Sequence, residues 1–466
     1  MILNSQRSAA IHARHAEQLA RGPEPFRQKS IFLVLFAASL VNAAIVLVGL
    51  PELRSPLELT YSMGFGDLYD LIAKNLSEGN GYRVEPAMGD TMLREPGYPL
   101  LLAIAFKLAG YGIQQARVVC VLLAFAAAFA LMRLTRKITG DRMIAVVAGL
   151  LFLLYPGILI AEARAGIEIP SIFTATLFML VLYRAVERGC IWWYWAAGLL
   201  VGVAVLVRSA VLLFPLVLLV YFLVAASGWA ERRKVIQRMG ALALGAVLAM
   251  SPWITRNYLV VHEFVPTATV AGVAAQEGLY SCEHASSAEP FDVRQTMAGF
   301  ERKEIATRLK KPFIGPYYQL FYTPQDELAF NHALLNHVST EYRTHPALLL
   351  KCGAKNVLFN FWFLGKRQHS TLLNIAVQAP LLALAAVGVA ILRKRGLSTK
   401  AAIVVLYILY IPAVHAPIIA HARHSMLIVP FLAILAATSL VSFWRTLRVQ
   451  DSGDYFRQTV AATPAE

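Results

Sequence analysis

Of the 466 residues, 58% are hydrophobic and only 15% are charged, and the mean hydropathy is +0.56. A soluble chain of this length needs more charge to cover its surface, so composition makes the lipid bilayer the main solvent. The formal net charge of +15 does not indicate nucleic acid, because the basic residues form short clusters between apolar runs, as membrane topology requires.

In chain order, residues 1–30 are polar and basic and read as a cytoplasmic segment. The apolar run at 31–50 is longer than the roughly 7–15 residues of a cleavable signal core, which predicts an uncleaved first span. Since a helix needs about twenty apolar residues to cross the hydrocarbon, further spans are predicted at 118–132 with its flanks, 143–161, 167–185, 191–207, 209–226, 239–255, 372–392, 401–420 and 425–444. A single helix over 191–226 would be about 54 Å long, against a core of about 30 Å. Two spans joined by a tight turn at Arg208–Ser209 fit better. The expectation is an all-α integral membrane fold of about ten transmembrane helices over 31–444, followed by a cytoplasmic tail at 445–466.

Alternating ten spans from an inside N-terminus places 1–30, 133–142, 184–189, 228–238, 393–400 and the tail on one side, with 22 Lys and Arg among them. The three short turns on the other side carry one each, Arg164, Arg208 and Arg423. The positive-inside rule demands this asymmetry. Two long segments, 51–114 and 253–371, then lie outside. Each holds an amphipathic stretch (98–108 and 347–364) suited to the interface rather than to crossing. Trp192, Trp193, Tyr194 and Trp195, on the predicted inner side, read as an aromatic belt.

Four cysteines, Cys120, Cys190, Cys282 and Cys352, lack the spacing of a zinc site or a disulfide framework. Cys282 and Cys352 share one predicted outer segment, where an oxidising compartment would let them bridge. His415, His421 and His424 flank the last outer turn, the latter two one helical turn apart, but no nearby carboxylate completes a metal site.

The first outer segment reads GFGDLYDLIAKNLSEGNGY up to Tyr82 and MLREPGYPLLLA from Met92. Residues 69–76 suit a helix of one or two turns. Asp67 reads either as a general base toward a hydroxyl or as a helix N-cap, while Asp70 and Glu78 read as solvated. Arg94, Arg208, Arg256 and Arg423 each fall at a predicted outer helix end. Arginine grips phosphate in a bidentate fashion, and the bland alternative is snorkelling to the interface. Glu95 is a second acid or the partner of Arg94. Glu168, two residues before Pro170, complements a helix dipole or belongs to the site. Arg117, at the start of the second span, reads as an anchor.

The pattern D-x-Y-x-x-x-A-x-x-L-x-x-G-x-G-Y followed by R-x-P-G-Y-P resembles the first periplasmic loop of bacterial GT-C glycosyltransferases, which are akin to protein O-mannosyltransferases and to the aminoarabinose transferase of lipid A. SPWITRNYLVVHEFVP at 251–266 is similar to their P-W-x-x-R-N-Y segment, and HARHSMLIVPFLAIL at 421–435 to the A-R-Y-x-x-P-x-x-P start of their final span. Leu68 follows Asp67 where many relatives carry a second acid. His424 and Leu427 stand where the late motif usually has its tyrosine and first proline.

The resemblance implies a cavity at the outer face of the bacterial inner membrane that takes a polyprenyl-phosphate sugar from the bilayer and a lipid, glycan or protein acceptor. An inverting displacement would have Asp67 as base, with Glu95 and Glu168 as further acids and Arg94, Arg208, Arg256 and Arg423 on the donor phosphate. Tyr69, Tyr82, Tyr98 and Asn257 would line the cavity. No cofactor is required by the motifs, and a divalent metal has no support in the sequence. A lipid or sugar flippase is the main rival, but transporters show internal repeats and broken helices near the midplane, whereas here the polar complexity gathers in two segments on one face. An O-antigen ligase or polymerase would place its functional loop late in the chain, without an acid after the first span. A catalytically dead scaffold remains compatible with the sequence.

Overall fold

The computed structural model describes residues 28–49, 67–87, 89–284, 323–360, 368–418 and 422–461, and among these every regular element is helical. Helix α1 (Gln28–Ala44) closes in a π turn (Ile45–Gly49). Two helices of the first outer segment follow, α2 (Tyr69–Glu78) and α3 (Gly97–Ala109). The bundle continues through α4 (Ile113–Thr139), α5 (Arg142–Leu153), α6 (Pro156–Ala163), α7 (Glu168–Arg188), α8 (Ile191–Val207), α9 (Phe214–Ala225) and α10 (Trp229–Val261). The second outer segment contributes α11 (Val270–His284), α12 (Pro324–Thr344) and α13 (Pro346–Lys355). Then come α14 (Gln368–Lys394), α15 (Ser398–His415) and α16 (Val429–Ala461), the last preceded by a 3-10 turn at Ala422–Ile428. The N-terminal segment 1–27 and residues 285–322 lie outside the described residues, as does His421.

Each of the ten segments predicted to span coincides with a helix. Five stretches are long and apolar enough to cross a membrane: α4, α7, α10, Leu372–Lys394 within α14, and Ala422–Arg448. The pair α5–α6, bent by 49°, makes a sixth. That bend is chemically explained. Pro156 has no N–H to continue the ladder and opens α6 as its first residue. The Phe152 carbonyl, which proline cannot reach, accepts from Tyr155 N at 3.2 Å. The Leu153 carbonyl at the bend accepts from the buried Asn42 Nδ2 at 3.0 Å, which also donates to Glu162 Oε1 at 3.1 Å. The predicted turn at Arg208–Ser209 is present: α8 stops at Val207, Arg208 is extended, and a 3-10 turn (Ser209–Val211) leads into α9.

Two boundaries differ from expectation. The outer segment predicted to begin at Trp253 starts inside α10, which runs through Pro252 to Val261. Proline deprives the Leu248 carbonyl of its partner, but Ser251 Oγ donates to it at 2.9 Å, so the helix survives. At the other end α16 continues to Ala461, so Trp444 marks a change of composition rather than the end of a helix.

Small residues let the helix backbones close up, as bilayer packing favours. A Cβ on Gly198 would lie 2.1 Å from Leu242 O, and one on Gly245 2.4 Å from Trp195 O, so α8 and α10 meet backbone to backbone. The basic clusters predicted to share a side do converge. Lys137 pairs with Glu187, Lys400 Nζ lies 4.0 Å from the same carboxylate, Arg445 pairs with the α5 cap Asp141, and Arg184 and Arg238 stack on Trp193 and Tyr194. The acid–arginine groups of the outer motifs gather separately.

Cys282 in α11 and Cys352 in α13 form a disulfide across 70 positions.

Candidate active site

Asp67 and Leu68 take φ of 53° and 74° in succession. Left-handed backbone is costly for any residue with a Cβ, and a branched leucine has no local means of offsetting it. The corner is held from both sides. Leu68 is fully buried, packed with Ile72 and Trp253, and Arg94 Nε donates to Asp67 O at 3.1 Å. The N-cap position of α2 is Leu68, and no side chain caps the helix. The capping role open to Asp67 is therefore not the one it takes. Its Oδ2 instead meets Arg423 Nη1 at 2.9 Å, reaching across 356 positions to the start of the last span.

Around this pair the sequence motifs interlock. The Arg94 guanidinium lies over the Tyr69 ring, 5.3 Å from its centroid, and Tyr69 packs on Tyr98 at 5.6 Å. Burial raises the Tyr69 phenol, with Glu95 adding to the effect, so it stays a neutral donor at physiological pH. Tyr82 is likewise raised by burial, and its hydroxyl donates to Arg94 O at 2.9 Å. Glu95 Oε1 accepts from Ser209 N at 3.1 Å, tying the R-x-P-G-Y-P turn to the α8–α9 corner. Gly97 makes that approach possible, because a Cβ there would lie 2.7 Å from Val207 Cγ2 and 2.9 Å from Leu206 O. Glu168, at the start of α7, faces Arg208 Nη1 at 3.8 Å.

The turn joining α6 to α7 forms another wall. Ala165 is again left-handed, with φ 50°. Its carbonyl accepts from the buried Tyr98 hydroxyl at 2.7 Å, and the Ala163 carbonyl accepts from the buried Arg117 Nε at 2.6 Å. The residue between these two anchored carbonyls, Arg164, is exposed and interacts electrostatically with Glu168, Arg423 and Asp67. The sequence marked it only as a lone outer-turn arginine. Arg117, expected as an anchor, is one: it is fully buried and fixes this turn.

Arg256 and Asn257 occupy a neighbouring cluster. Arg256 donates to Thr91 O at 2.8 Å, lies 3.3 Å from Asp90 Oδ2 and stacks on Tyr82 and Trp253. Asn257 donates to Val265 O at 2.9 Å. Arg256 thereby braces the two long segments against each other, while Asn257 fixes the turn that follows α10. Two further residues of this brace had no motif to mark them. Asp90 also pairs with Arg83 at 3.1 Å. Glu327, 2% exposed, accepts from Thr91 Oγ1 at 2.6 Å, from Met92 N at 3.0 Å and from Thr269 Oγ1. Its carboxyl is raised by burial, against the lowering effect of those hydrogen bonds. Asp70, expected to be solvated, is fully buried and accepts from the Tyr111 hydroxyl at 2.9 Å, because α3 and the following turn cover that face of α2. Glu78 is exposed near Lys74, as expected. His415 and His424 stack at 4.7 Å, and no group of three or more potential metal ligands occurs among the described residues.

Residues 94–255, from the R-x-P-G-Y-P arginine into α10, match the sequence family described as dolichyl-phosphate-mannose-protein mannosyltransferase. The fold matches the oligosaccharyltransferase of Archaeoglobus fulgidus, solved tethered with an acceptor peptide, with a TM-score of 0.54 and 13% identity over 91% of this chain and 51% of that one. This chain thus spans about half the length of that enzyme. ArnT from Cupriavidus metallidurans is also similar, both bound to undecaprenyl phosphate (TM-score 0.38, 14% identity, 89% of this chain and 78% of that one) and in the apo state (0.34, 17%, 87% and 77%). No curated protein matches by sequence. The chain is a multi-pass membrane protein with the fold of glycosyltransferases. The match over residues 94–255 and the likeness of fold agree with the resemblance to GT-C glycosyltransferases that the motifs carry.

Proposed function

We propose that the protein moves a sugar from a polyprenyl-phosphate donor to a hydroxyl of a lipid, glycan or protein acceptor at the outer face of the membrane. The observation that carries this reading is the Asp67 corner, a carboxylate displayed from two successive left-handed residues against Arg423, with Arg94 holding its backbone. Backbone strain of this kind persists where surrounding structure over-determines it, and it gathers at functional sites.

In the reaction the acceptor oxygen attacks the anomeric carbon from the face opposite the phosphate. Asp67 takes the hydroxyl proton as the new C–O bond forms. The bond from the anomeric carbon to the phosphate oxygen breaks, and its electron pair leaves with the polyprenyl phosphate. Arg423 and Arg164 meet the charge that grows on that oxygen, which is where preorganised cations lower a barrier most. The resting Asp67–Arg423 pair gives the donor a second role, because its phosphate draws Arg423 away and leaves the carboxylate able to accept a proton. The description of the matching family, which names a lipid-phosphate sugar as donor, supports the donor class. The Cys282–Cys352 bridge supports an oxidising compartment for the second segment.

Purified protein supplied with labelled polyprenyl-phosphate sugars and a membrane extract as acceptor should release polyprenyl phosphate while the label moves to the acceptor. If no donor in a panel of pentosyl and hexosyl carriers is consumed, the reading is wrong.

A further inference from the structure

Glu168 is buried and the oppositely charged Arg208 partly so, with side chains 7% and 16% exposed, yet they stop short of each other. Glu168 Oε1 and Arg208 Nη1 are 3.8 Å apart, beyond hydrogen-bond reach, and neither atom has any hydrogen-bond partner. Left free, such a pair closes to below about 3 Å, and a buried polar atom left unmatched is a cost the fold otherwise avoids. Both side chains spring from anchored backbone. Arg208 is fixed in extended conformation at the end of α8, with the next N–H held by Glu95. The Glu168 carboxylate folds back over Gly166, where a Cβ would lie 2.3 Å from Oε2.

We propose that this gap is a recognition subsite for one hydroxyl of the transferred sugar, an inference that rests on the glycosyltransferase reading. A hydroxyl donates and accepts at once, and an oxygen about 2.8 Å from each of the two atoms bridges them from beside the line that joins them. A phosphate oxygen would be repelled by Glu168, and an ammonium group by Arg208. The subsite lies toward the reacting centre, since α7, which opens at Glu168, packs against the 3-10 turn that carries Arg423. Glu168 and Arg208 thus read the sugar, rather than supplying a second base and a phosphate ligand.

The test is equilibrium binding to the full-length protein in detergent. The probes are bare undecaprenyl phosphate, the same carrier bearing arabinose, mannose, galactose or N-acetylglucosamine, and monodeoxy forms of the tightest of these. Wild type should prefer one glycosylated carrier to the bare one by about ten- to a hundredfold, the effect of a hydrogen bond to a charged group. Glu168→Gln should bind the bare carrier at least as tightly as wild type does, which also reports its folding, but lose most of that preference. One monodeoxy form should bind both proteins equally. Retention of the full preference by Glu168→Gln would refute the subsite. So would equal losses for bare and glycosylated carriers, the outcome if the gap merely holds a structural water, or the lack of any sugar preference in wild type. Failure of wild type to bind either form of the carrier would instead sink the polyprenyl-phosphate reading, and the subsite with it.

Discussion

Arg423 and Arg164 differ in what they touch, and their substitutions should differ accordingly. Arg423 neutralises Asp67 at rest, whereas Arg164 is displayed from a turn fixed by Arg117 and Tyr98. Either alanine variant should insert normally and lose about ten- to a hundredfold in turnover, the cost of one charge-assisted contact. Lysine should restore only part of the loss, because it lacks the planar fork. Steady-state rates at equal protein level check this, and full activity in both alanine variants would leave the arginines as interface anchors. Glu327 makes a different forecast. Glu327→Ala strands three donors and should cost on the order of 3 kcal/mol or more, read as a fall in thermal stability. Glu327→Gln keeps the shape without the buried charge and should cost far less. Because burial raises this carboxyl in the folded state, its contribution is full at pH below the ordinary glutamate range and is lost as pH rises through the raised value. The glutamine variant should therefore flatten that part of the stability–pH profile.

Among the elements, local signals carried far and tertiary ones did not. The apolar runs marked the five helices long enough to cross and the bent pair that makes a sixth, and the excess length of 191–226 revealed the Arg208 corner, because span length is set by bilayer thickness. Asp67 and Arg94 were legible from their loop pattern. Asp90, Glu327 and the burial of Asp70 were not, since each depends on a partner segment: Glu327 meets Thr91 across 236 positions, and no periodicity encodes such a meeting. The segment expected to begin at Trp253 stays helical to Val261, because the Ser251 hydroxyl replaces the donor that Pro252 lacks, which no periodicity encodes. The pairing of Cys282 with Cys352 was open from sequence and is made in the structure. Maleimide labelling of the denatured, unreduced protein should therefore modify two thiols, those of Cys120 and Cys190, and all of the cysteines after reduction. Labelling of every cysteine before reduction would contradict the bridge and, with it, an oxidising location for the second segment.

At the scale of the whole molecule, the two ends of the bundle differ in chemistry. One gathers Lys137, Lys400, Arg184, Arg238 and Arg445 with their acids and aromatic rings. The other holds the Asp67 corner. Reporter fusions after Lys137, Lys234 and Arg395 should read as cytoplasmic and a fusion at Gly89 as periplasmic, as the charge asymmetry requires. The opposite result at Gly89 would place Asp67 on the nucleotide side and end the lipid-linked donor account.

The most direct measurement is donor turnover by Asp67→Asn beside wild type, at matched protein level and with undecaprenyl phosphate binding as a check on the site. Asparagine keeps the size of the side chain and tolerates left-handed backbone as aspartate does, so the corner should form. It cannot take a proton from the acceptor. A general base contributes about 10²–10⁴-fold, so the account predicts a loss of that order with normal abundance and retained carrier binding. Turnover within a few-fold of wild type would contradict it, leaving Asp67 as a structural partner of Arg423.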